Sequence, residues 1–74
     1  MPNSITSADL YDVVAVDLTT RTVRFMATGK DLRNAEAIVT MTVMRRGVEK
    51  ELFAEVKTGM YQEGDTWTGR GADG

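Results

Sequence analysis

Three pairs of carboxylates are spaced closely enough to work together: Asp12 with Asp17, Glu49 with Glu51, and Glu63 with Asp65. Two acids on one face can serve as general acid and base, or hold a divalent cation. Asp12 and Asp17 sit an odd number of positions apart on a run that reads as a strand, so their side chains point to opposite faces. Glu49 and Glu51 share a face, but Lys50 and Lys57 flank them, and the run reads as solvated charge. "EGD" at 63–65 is explained by turn chemistry before any cation is invoked. Ser4 and Ser7 are the only serines, and without His or Cys there is no conventional nucleophile–base pair and no imidazole or thiolate ligand. "TGKD" at 28–31 resembles a piece of a phosphate loop but lacks the preceding glycines. No enzyme, cofactor or metal site is expected.

The remaining chemistry is that of surfaces. Net charge is −2, unevenly spread. The middle of the chain carries Arg21, Arg24, Lys30, Arg33, Arg45 and Arg46 against Asp31 and Glu36, while both flanks are acidic. Nucleic-acid binders are usually basic overall. A nucleic-acid module using Arg21, Arg24, Arg33, Arg45 and Arg46 is therefore the alternative reading rather than the leading one. Arg45 and Arg46 also have a structural explanation, as positive charge at a helix C-terminus.

These residues need elements to hold them. "LYDVVAVDL" (10–18) reads as a strand apolar on both alternating sets, the mark of a strand covered on both faces or of a central strand. "TVRFMAT" (22–28) is a second strand, joined to the first as a hairpin through "TTR". "VEKELFAEVKT" (48–58) is a third, and a short fourth near Trp67 is conceivable.

The segment between them is ambiguous. Residues 39–44 alternate like a strand and are rich in β-branched side chains, which disfavour helix. The ends favour helix: Asp31 as N-cap, Glu36 early, Arg45 and Arg46 late, Gly47 as terminator. Leu32, Ala35, Ile38, Val39, Thr42 and Val43 also form one helical stripe. The helix explains both ends and the stripe; the strand explains only the middle.

The expectation is an α+β domain over 9–68, in β-β-α-β order: a small antiparallel sheet of three to four strands with one helix on one face. An all-β meander is the alternative. Residues 1–8 are expected to be a loose N-terminal segment and 69–74 a flexible C-terminal tail. The helix is expected over Val14, Val16, Leu18, Val23, Phe25, Leu52, Ala54 and Val56. That would leave Tyr11, Val13, Ala15, Met26 and Phe53 open on the other face unless Tyr61 and Trp67 fold back over them. An open apolar face marks a contact site. Tyr11, Val13, Met26 and Phe53 are thus the first candidates for partner binding, with Met41 and Met44 on the outer helix face second.

No apolar run approaches the roughly 20 residues of a membrane span. A soluble, cytoplasmic protein is expected, with a protein partner or a second copy as its ligand and no membrane contact. In size, acidity, lack of cysteine and mixed α/β order, the chain resembles the short inhibitor proteins that phages use against host defences, anti-CRISPR proteins among them. The resemblance is of general type and carries no residue across. It implies inhibition by steric or charge mimicry of a host complex.

Overall fold

The computed structural model describes residues 9–70. Four elements follow one another: β1 (Tyr11–Asp17), β2 (Val23–Lys30), α1 (Leu32–Arg46) and β3 (Glu51–Lys57). The sheet order is β2-β1-β3, with both pairings antiparallel. This is the α+β, β-β-α-β fold; the meander is excluded because 32–46 is helical. The expected loose segment 1–8 and most of the tail 69–74 lie outside the described residues.

β1 is central, and Val13, Val14, Ala15 and Val16 are all buried, as its two apolar faces require. The β1–β2 turn is fastened by Asp17, whose Oδ1 accepts from the amides of Thr19 at 2.8 Å and Thr20 at 2.9 Å. Arg21 closes that turn at φ 63°, in the left-handed region that L side chains seldom adopt.

The helix ends as its sequence indicates. The Asp31 carboxylate accepts from the Asn34 amide at 2.8 Å. The Gly47 amide donates to the Val43 carbonyl at 2.8 Å, and Gly47 adopts φ 76°, ψ −177°. Glu36 lies beyond the first turn, which holds no acid. Ala35 and Thr42 are buried, with Ile38, Val39 and Val43 half-buried beside them, whereas Leu32, expected on the same stripe, is exposed. No helix among the described residues is long and apolar enough to cross a membrane.

The helix lies on the opposite sheet face from the one expected. One cluster unites Val14, Val16, Val23, Ala54, Val56 and Tyr61, with Phe25 and Trp67 against it, and contains no helix residue. The other face holds Val13, Ala15 and Phe53, and it is this face that α1 covers: Arg46 sits over the Phe53 ring. Chirality explains the choice. β2 and β3 run parallel with β1 between them, so α1 is a crossover connection. Hydrogen bonds such as Asp17 N–H to Thr22 O show that the odd-numbered residues of β1 face β2. With L residues, a right-handed crossover then passes over the odd-numbered side chains, and right-handed crossovers are the rule. The more apolar even-numbered face is left for the C-terminal segment.

That segment closes the second face. Tyr61 is buried, and its ring stacks on Trp67 with centroids 5.3 Å apart and planes 23° from parallel. Its hydroxyl meets the Thr68 hydroxyl at 3.0 Å. In place of a fourth strand there is a single bridge, Thr22 to Thr66.

Candidate functional site

The first set of candidate contact residues does not form an open face. Val13 is fully buried and Phe53 is 6% exposed beneath α1; Tyr11 is half-buried. The open-face expectation is thus corrected, because crossover handedness put the helix there. Met26 is partly exposed on the edge strand β2. Met41 and Met44 remain on the outer face of α1, at 58% and 80% exposure, Met44 being the most exposed large apolar side chain described.

Two of the five arginines of the alternative reading are engaged within the fold. Arg24 and Arg46 converge on one carboxylate, Glu51, at 3.5 Å and 2.6 Å. Arg21 occupies the β1–β2 turn, Arg33 lies in the first turn of α1, and Arg45 lies in its last. Two of the five are thus partly neutralised within the fold.

Five of the six carboxylates paired by spacing, Asp12, Asp17, Glu51, Glu63 and Asp65, accept hydrogen bonds within the fold. Asp12 is 4% exposed, and its Oδ1 accepts from the Gly29 amide and the Thr58 hydroxyl, both at 3.0 Å. Its single oxygen joins the end of β2 to the residue after β3, across the register shifts that begin beside it. The sequence reading did not anticipate this role; the only signal was an acid inside an otherwise apolar strand. Glu63 Oε1 accepts from the Phe25 amide at 2.9 Å, and Asp65 Oδ2 accepts from the Gln62 amide at 2.8 Å, so "EGD" works as an edge cap and a turn. Asp17 has its pKa held below the ordinary 3.8 by the Thr20 and Thr19 amides. No group of three or more potential metal ligands occurs among the described residues.

A shallow groove at the β1–β2 turn is lined by Ala15, Asp17, Thr20, Thr22, Arg24 and Glu51. Its charged groups are already engaged with one another or with the turn backbone.

The two sheet edges differ. Val23, which points its backbone outward from β2, donates to Asp65 O at 2.8 Å and accepts from Gly64 N at 2.9 Å; Glu63 takes the next outward amide, that of Phe25. On β3, Leu18 N–H to Lys50 O and Thr58 N–H to Leu10 O show that the even-numbered residues face β1. The odd-numbered ones, Glu51, Phe53, Glu55 and Lys57, therefore direct their N–H and C=O groups outward. Among the described residues, the one backbone partner found for these groups is Met60, whose amide donates to Lys57 O at 3.1 Å.

No protein-family model matches the chain, and neither a curated protein nor a solved structure matches it significantly.

Proposed function

We propose that this chain is a small non-enzymatic protein-interaction module that acts by occupying a partner's surface through the outer face of α1. The observation that carries the reading is the exposure of Met41 and Met44 in a fold that has closed both faces of its sheet. They lie one turn apart and form an adaptable apolar pair. Arg33 and Arg45 stand on the same helix, so the partner surface is an apolar hollow with an acidic rim. Such a module inhibits or regulates by steric occupation, in the manner implied by the resemblance to short phage inhibitors.

The test is affinity capture from source-cell extract with the wild-type protein and with the Met41→Glu/Met44→Glu variant. Proteins retained by the first and lost by the second support the proposal; equal retention rejects it. Repeating the wash across a salt series separates the nucleic-acid alternative. Phosphate-dominated binding falls steeply with salt, whereas apolar contact does not.

A further inference from the structure

We infer that β3 is a self-pairing edge: two copies of this chain join β3 to β3 in antiparallel register, making one continuous six-stranded sheet. This surface is separate from the outer face of α1, so either reading can fail without the other. The inference starts from the contrast between the edges. β2 is capped by Gly64, Asp65 and Glu63, while β3 presents the outward backbone groups of Glu51, Phe53 and Glu55 without a partner among the described residues. An uncapped edge is a template for another strand.

The sequence of that edge selects what pairs with it. Only registers that place odd-numbered residues opposite odd-numbered residues bring outward groups together. Centred on Ala54, the pairing sets Glu51 opposite Lys57 of the second copy, and Lys57 opposite its Glu51. Phe53 and Glu55 then exchange backbone bonds with Glu55 and Phe53. Sliding by one allowed step in one direction puts Glu51 against Glu55 twice. Sliding in the other direction puts Glu55 against Glu55. Like charges directly opposite are unfavourable, and opposite charges favourable. Of these three registers the Ala54-centred one alone sets no carboxylate opposite another, with Glu51 keeping its own-chain contacts to Arg24 and Arg46, and it is symmetric, as a two-fold dimer requires. On the strap side of the sheet it lays Leu52, which is 36% exposed, opposite the partner copy's Val56. A two-fold axis perpendicular to the sheet keeps both helices on one side and both C-terminal straps on the other.

The test is light scattering on the full chain across a concentration series, with circular dichroism confirming the fold of every variant. The expected result is a rise from 8.1 kDa toward twice that mass. Glu55→Pro removes an outward amide without touching the β1 ladder, and edge strands accept proline; it is expected to stay monomeric. Lys57→Glu is also expected to be monomeric, because it sets Glu against Glu51. Mixing Lys57→Glu with Glu51→Lys restores both opposite-charge pairs and is expected to restore the doubled mass. A wild-type monomer at all concentrations overturns the inference. So does a dimer that folded Glu55→Pro leaves intact, which would place the interface elsewhere.

Discussion

The Arg46 guanidinium lies 5.4 Å from the centroid of the Phe53 ring while donating to Glu51 at 2.6 Å. The last turn of α1 is thereby fixed to β3 through an aromatic face and a carboxylate two residues apart on the same strand. Removing the guanidinium loses a stacking contact and one arm of a shared ion pair. Such contacts at part-exposed sites are worth about 0.5–1 kcal/mol each. Arg46→Ala is expected to lower stability by about 1 kcal/mol, which for a domain of this size is a fall in Tm of about 4–8 °C. Arg46→Lys keeps the charge but not the planar stack, and should recover only part of the loss in a thermal melt.

On the other face, Tyr61 supplies the cover that no helix provides. Truncating a buried aromatic costs about 3–5 kcal/mol. The whole stability of a chain this small, without disulfides, is about 3–5 kcal/mol. Tyr61→Ala should therefore be largely unfolded at 25 °C by circular dichroism. Tyr61→Phe keeps the stack on Trp67 and loses only the Thr68 contact, so a drop of about 1 kcal/mol in urea denaturation is expected. In the folded protein Trp67 is half-buried against Tyr61, and its emission should shift to the red as urea unfolds the chain.

Much of this fold is legible in the residues, and the main departure, the sheet face that the helix covers, has a single cause. The double apolarity of β1 marked it as central, and Asp31 and Gly47 marked the helix ends against the β-branched run from Val39 to Val43. The two alternating sets of the sheet were also separable by eye. What apolarity could not decide was which set the helix covers. That depends on handedness and hydrogen-bond parity, and once the order β2-β1-β3 is known both point to the Val13 side. Choosing the more apolar side instead made Val13 and Phe53 look like an open site. Met41 and Met44 are exposed as expected, because their exposure depends only on helical phase. The contrast between the β2 edge, capped by residues 63–65, and the β3 edge, which has no such cap among the described residues, was invisible in sequence, since it depends on where the segment after β3 runs.

Gly47 carries a prediction that contacts alone would miss. A Cβ built there meets nothing within 4 Å, so sterically the site is open. Its φ of 76° with ψ of −177° is nevertheless a region occupied almost only by glycine. Gly47→Ala must strain the backbone or release the amide that bonds Val43. A loss of about 1–3 kcal/mol is expected, measured by chemical denaturation. The cost should appear as a less stable helix end, with faster hydrogen exchange at the backbone amide of position 47 than in the wild type.

Asp17 contributes to the acid side of the stability profile. Its carboxylate accepts from Thr20 and Thr19, and these amides, helped by the Thr20 hydroxyl and Arg24, favour the ionised form in the folded chain. The folded pKa is therefore below the unfolded value of about 3.9. The unfolded chain binds the proton more readily, so acid favours unfolding. The contribution of Asp17 is fully present above pH of about 4, in the range where the unfolded carboxylate is also ionised. It is lost as pH falls through the folded pKa. With no histidine in the chain, no unperturbed side chain changes charge between about pH 5 and 8. The expected profile is flat across neutrality with a decline beginning near pH 4. Asp17→Asn keeps an oxygen for the two amides but removes the ionisation, so it should be less stable at pH 7 and show a shallower acid decline. Carboxylate titration by NMR, alongside urea melts at pH 7 and pH 3, checks both halves. An Asp17 pKa at or above 3.8 in the folded chain would contradict the turn assignment.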